Sequence, residues 1–263
     1  MPPFTVKGTF MQKNTHTHSQ SIVMLRYNTG RFDYSAVIRA LRFYYPIGIA
    51  PSEGQRYEEH IATLKLKALI GRKFNSGFYD SRWKPFQQEV STRLQLPVED
   101  VTYGEDAGYG AAIVLEEVKG PGFERRKLLC FFASMLGPFS VIAGIDQSAV
   151  TVNGTSYFTY NLLTVSPENE YADYANTLLK MMKQRFPDHR LLPFQVWGQV
   201  VDGLELPAGN GPCSVFEALF NDVLQIERGK DGAIKNVPIV GDEMFGMEDW
   251  KVRKRERIEA NIF

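Results

Sequence analysis

The stretch Leu128-Leu129-Cys130-Phe131-Phe132-Ala133-Ser134-Met135-Leu136-Gly137-Pro138-Phe139-Ser140-Val141-Ile142-Ala143-Gly144-Ile145 carries no charged residue over eighteen positions. A run of that length just reaches the threshold for a membrane-spanning helix. Gly137-Pro138 divides it near its middle, where proline lacks a backbone donor and the pair signals a turn. Two buried strands, at about 128–135 and 139–145, fit better than one helix.

Strand signals continue on both sides of the run. Residues 111–118 (Ala-Ala-Ile-Val-Leu-Glu-Glu-Val) lead through Gly120-Pro121-Gly122 into the first of these strands. Downstream, Asn153-Gly154 lies between β-forming residues and fits the positive φ values of a type I′ hairpin turn. Asn153-Gly154-Thr155 is also formally a glycosylation sequon, which is read more simply as that turn. Further strands are expected at 4–11, 21–27 and 194–201.

Helical spacing dominates the N-terminal part. Val37, Ala40, Leu41 and Tyr44 form a stripe that follows Asp33, a plausible N-cap, and stops near Pro46. A second helix is expected from about 55 to 70, with Tyr57, Ile61, Leu64 and Ala68 on one face. A third starts near Ser81 and aligns Trp83, Phe86, Val90 and Leu94. A fourth, over 167–186, takes Ser166 as N-cap and Pro167 as first residue. A fifth is expected at about 215–225, and the tail from about Glu248 also reads as helical.

Strands and helices do not alternate regularly, which disfavours a doubly wound parallel sheet. The expected class is α+β, a mostly antiparallel sheet with helices packed on one face. With 263 residues, one domain spanning 1–263 is expected. It has a helix-rich part at about 30–97, a strand-rich middle at about 111–165 and a basic tail at about 248–263.

Thirty basic residues balance thirty acidic ones. A protein held to nucleic acid by phosphate contacts usually carries a surplus of Lys and Arg, so nucleic acid is disfavoured as the main partner. The two cysteines, Cys130 and Cys213, form neither a disulfide framework nor a zinc spacing. The opening Met-Pro-Pro-Phe-Thr-Val-Lys lacks a charged leader followed by an apolar run. A cytoplasmic protein with no membrane association is therefore expected.

Phosphate loops, nucleophile elbows and zinc-protease helices are missing from the sequence, and no cofactor is expected. Cys213 stands at a predicted helix N-terminus, where the dipole favours thiolate. Against this, Ser214 and Glu217 fit a capping box that makes Cys213 merely the preceding residue. A thiol enzyme also needs a base, and His16, His18, His60 and His189 all precede Cys213; His189 is the candidate partner. In a strand, His16 and His18 would point to one side and could share a metal ion.

Two loops suit binding better. The segment from Glu99 to Gly110 combines Glu99, Asp100, Glu105 and Asp106 with Tyr103, Tyr109 and three glycines. The segment 74–83 contributes Phe78, Tyr79 and Trp83. Aromatic side chains supply contact area and acids suit a basic partner. The tail cluster Lys251, Arg253, Lys254, Arg255 and Arg257 reads as a solvated helix face. The leading expectation is a non-catalytic cytoplasmic factor that binds another protein: an inhibitor, an immunity-type protein or an assembly adaptor. The alternatives are a cysteine- or metal-dependent hydrolase and a structural subunit of a larger assembly.

Overall fold

The computed structural model describes residues 34–75, 77–207, 212–224 and 234–250. Four long antiparallel strands follow one another in sequence and in space. They are β2 (Gly108–Gly120), β3 (Phe123–Ser134), β4 (Phe139–Val152) and β5 (Thr155–Thr164). The uncharged run forms the heart of this ladder, as its Gly-Pro break predicts. Leu128 opposes Ile145 and Phe131 opposes Ile142. No helix among the described residues is long and apolar enough to cross a membrane.

Short strands complete the sheet. β1 (Val98–Asp100) pairs with β2, β6 (Arg190–Leu191) runs parallel to β4, and β9 (Ile239–Val240) runs parallel to β5. Separately, β7 (Val200–Glu205) and β8 (Pro212–Ser214) make a two-stranded sheet. The α+β class and the mainly antiparallel order hold.

The helices cover both faces of the sheet, where the sequence reading placed them on one. Successive strand residues point to opposite sides. Ala112, Val114, Leu128, Cys130 and Phe132 pack with α1 (Ser35–Tyr44), α3 (Ile61–Ile70), α6 (Phe194–Trp197) and α7 (Val215–Leu219). Ala111, Ile113, Leu129, Phe131 and Ala133 pack with α4 (Lys84–Leu94) and α5 (Ala172–Arg185). A strand buried on both faces reads as a continuous apolar run, and that is why charge is missing over 128–145.

Other differences have local causes. The helix expected over 55–70 is two, α2 (Gln55–Glu58) and α3, because His60 is extended and its Nδ1 accepts from Ala62 N at 3.2 Å. This break resets the helical phase. Ala62, Thr63 and Leu66 turn inward, while Ile61 and Leu64 of the predicted stripe are exposed. The strand expected at 194–201 begins as helix α6, with Pro193 as its N-cap and Phe194 edge-on to Trp197 at 4.6 Å. Strand structure starts only at Val200. Helix α5 starts after a 3-10 turn at Asn169–Tyr171, since the Ser166 hydroxyl accepts from Asp242 N at 2.8 Å instead of capping it. Helix α7 ends at Leu219, short of the expected 225. The strands expected at 4–11 and 21–27, Asp33, and the basic tail beyond Trp250 lie outside the described residues.

Candidate interaction site

The two loops singled out in the sequence do meet. Tyr109, near the start of β2, stacks on Phe78 at 5.1 Å and lies 5.6 Å from Trp83, between ring centroids. The Tyr79 hydroxyl donates to the Asp100 carboxylate. Trp83 and Tyr109 are buried, so this part of the expected binding set is core packing. Glu99 and Asp100 belong to strand β1 rather than to a loop. Glu99 accepts from Arg126 at 2.5 Å, and Asp100 accepts from Thr102 N at 2.9 Å. Tyr103 and Glu105 remain exposed.

Beneath this loop lies Lys73, fully buried, whose Nζ donates to the Tyr103 carbonyl. Burial pulls Lys73 down to about 8, against the opposing pull of Asp106 and then Asp100. Burial pushes Asp106 up to about 6; Lys73 opposes the rise, while Asp222 and Glu105 add to it. The Lys73–Tyr103 hydrogen bond ties the acidic loop to the segment after α3 without an exposed reactive group.

The candidates for catalysis are held in structural roles. Cys213 is 4% exposed and its Sγ donates to the Ser214 carbonyl at 3.1 Å. Burial pushes this thiol up, reinforced by the Glu217 charge, so the nucleophilic thiolate is disfavoured rather than stabilised. Ser214 and Glu217 form the capping box of α7, with Glu217 N donating to Ser214 Oγ at 3.1 Å and Ser214 N donating to Glu217 Oε2 at 2.6 Å. Cys130 is pushed up to about 12 by burial. His189 lies 5.4 Å from the Phe186 ring with Nδ1 3.2 Å from the Phe139 carbonyl oxygen, and burial pulls it down to about 4. Among the described residues no group of three or more His, Cys, Asp or Glu side chains could hold a metal ion. His16 and His18 lie outside them.

The surface that sequence reasoning missed is the far end of the sheet. Beyond Leu115, Lys127, Asp146 and Asn161 the strands outrun both helical layers, and burial gives way to exposure in all four. Directly opposed residues share a face. One face of this tip therefore carries the row Phe123, Val150, Tyr157, with Val118 and Val152 beside it. All five are exposed, Tyr157 to 62%.

A polar belt divides this apolar face from the core. Arg125 donates to Asp146 through Nε at 3.1 Å and Nη2 at 2.5 Å, and Asn161 Nδ2 donates to Asp146 Oδ1 at 2.9 Å. Lys127 lies 3.3 Å from Glu116 and 3.0 Å from Glu170. The opposite face of the tip carries charge instead, with Arg126 3.3 Å from Glu117 and Lys119 3.0 Å from Glu117. Phe158 stands out from that face, 70% exposed.

The concavities are shallow. One of about 230 Å³ runs over Ala149 between Lys119, Glu124 and Phe158. Another of about 400 Å³ lies between α4 and α5, lined by Glu89, Arg93, Thr177, Lys180, Met181 and Gln184. Neither is lined by Lys73, Asp106, Cys213 or His189. Comparison with protein-family models, with curated proteins and with solved structures finds no match to this chain.

Proposed function

We propose that this protein is a non-catalytic binding factor, acting as an inhibitor, an immunity-type protein or an assembly adaptor, and that it holds another protein on the apolar face of its sheet tip. The observation that carries this reading is the exposed set Val118, Phe123, Val150, Val152 and Tyr157 on one face. Exposed apolar surface with a polar rim marks interaction sites. The belt of Arg125, Asp146, Lys127 and Glu116 supplies that rim. The exposed acids Glu99, Asp100 and Glu105, with Tyr103, offer a further contact region suited to a basic patch on the partner.

A cytoplasmic setting is part of the same proposal. Both cysteines are free and buried, as expected where thiols stay reduced. The thiol-hydrolase reading is weakened by the protonated, capped environment of Cys213.

The test is a native pull-down from the source organism, using the full chain as bait beside a Phe123→Ser/Val150→Asp double variant. The wild type should recover a specific partner that the variant loses, with both showing the same far-ultraviolet circular dichroism and melting. Recovery of no specific partner, or equal recovery by both baits, overturns the reading.

A further inference from the structure

The two edges of the sheet tip differ in kind. Along β2 the outer edge carries Glu116, Glu117 and Lys119. Charged side chains on an unpaired edge are a common guard against strand addition. Among the described residues, the edge of β5 is open from Thr155 to Leu162, because β9 pairs only with Leu163 and Thr164. The sequence Thr155-Ser156-Tyr157-Phe158-Thr159-Tyr160-Asn161-Leu162 contains no charge and no proline. Every residue from Thr155 to Thr159 is exposed. A neutral, β-prone, aromatic edge is a template for another strand.

Which strand fits it follows from its own pattern. We infer that β5 pairs antiparallel with β5 of a second copy of this chain, about a two-fold axis at Phe158. Asn153 and Gly154 have φ values of 51° and 79°, the type I′ turn, which makes Val152 and Thr155 the closing hydrogen-bonded pair. Bonding direction alternates along a strand, so Ser156, Phe158 and Tyr160 aim their backbone groups outward. A two-fold axis at Phe158 opposes Phe158 to its own copy, Ser156 to Tyr160 and Tyr157 to Thr159. Each outward-facing residue thus meets an outward-facing one. The cross-strand pairs are aromatic–aromatic or aromatic–hydroxyl, and a strand without charge meets no like charge when it meets itself.

Among the described residues, the buried body lies clear of this pairing. Buried structure resumes on β5 at Leu163, five residues beyond the axis and so about 17 Å from it. The two bodies lie at opposite ends of the joint. Because the axis runs through the sheet, the apolar faces of the two tips join side by side and remain open. The pairing uses the edge, and it does not depend on what docks on the face.

Sedimentation velocity and light scattering on the full chain across a concentration series test this inference. The wild type should move from one chain mass to two as concentration rises. Phe158→Lys and Phe158→Glu should each stay at one chain mass with unchanged melting, and an equimolar mixture of the two should recover the dimer through opposite charges at the axis. A wild type that remains monomeric up to its solubility limit overturns the inference. So does a dimer that persists in Phe158→Lys, or a mixture that fails to recover it. Phe123→Ser/Val150→Asp should still dimerise, which keeps the failure of this inference distinct from failure of the proposed function.

Discussion

Leu128 and Ile145, the first and last residues of the uncharged run, stand directly opposite each other across β3 and β4. Their pairing marks the level at which the sheet leaves the helical layers. On one side of it side chains are buried on both faces, and on the other they are exposed on both.

This boundary predicts opposite costs within one ladder. Phe132→Ala, at a side chain with no exposure, should lower unfolding free energy by about 3–5 kcal/mol. Val150→Ala, on the same sheet beyond the boundary, should stay within about 0.5 kcal/mol of wild type. Urea titration with an unchanged m-value checks both.

Tyr171 predicts a gain. Its hydroxyl is buried without a hydrogen-bond partner, and burial pushes its pKa up. Removing that oxygen in Tyr171→Phe should raise stability by about 1 kcal/mol. Gly144 lies under the same ring, where an added Cβ would sit 2.9 Å from it. Gly144→Ala should therefore cost about 1–3 kcal/mol by overpacking. Calorimetric melting of the two variants tests the pair.

His189 predicts an acid limb. Its folded pKa of about 4 lies below the ordinary histidine value of 6.5. The unfolded chain then binds the extra proton first, so stability is full above 6.5 and falls as pH drops towards 4. The loss should amount to roughly 3 kcal/mol. His189→Gln should lack this limb in urea titrations run at successive pH values.

Lys73 and Asp106 predict a low plateau of stability between them. Asp106, raised from 3.8 to about 6, favours the folded state below that window, and the benefit is lost as pH rises through it. Lys73, lowered from 10.5 to about 8, is penalised while charged, so stability rises as pH climbs from 8 to 10.5. Asp106→Asn should remove the first slope and Lys73→Met the second. The first runs against the His189 limb in part of the same range, so it is best measured in the His189→Gln background.

The paired strands, the Asn153-Gly154 turn, the Trp83-Phe86-Val90 face and the Ser214–Glu217 capping box were legible because each is a local pattern with a local cause. The phase of α3 was not, since one extended residue at His60 rotates everything after it. Nor was the helical start at Phe194, where alternation and a single helical turn read alike over a few residues. The tip was hidden for a different reason. Val150, Val152 and Tyr157 have the same β-forming character as the buried Val141 and Phe139. What separates them is how far the helices reach, which no short window contains. The convergence of Phe78, Tyr79 and Trp83 on Tyr109 and Asp100 is likewise a matter of sheet order.

β4 carries the same continuous backbone from Phe139 in the core to Val152 at the turn. Its last six steps project the tip about 20 Å past Asp146. A blade held that far from the helical layers can enter a recess too narrow for the layers themselves. The shoulder where the helices begin sets how far such an entry could go.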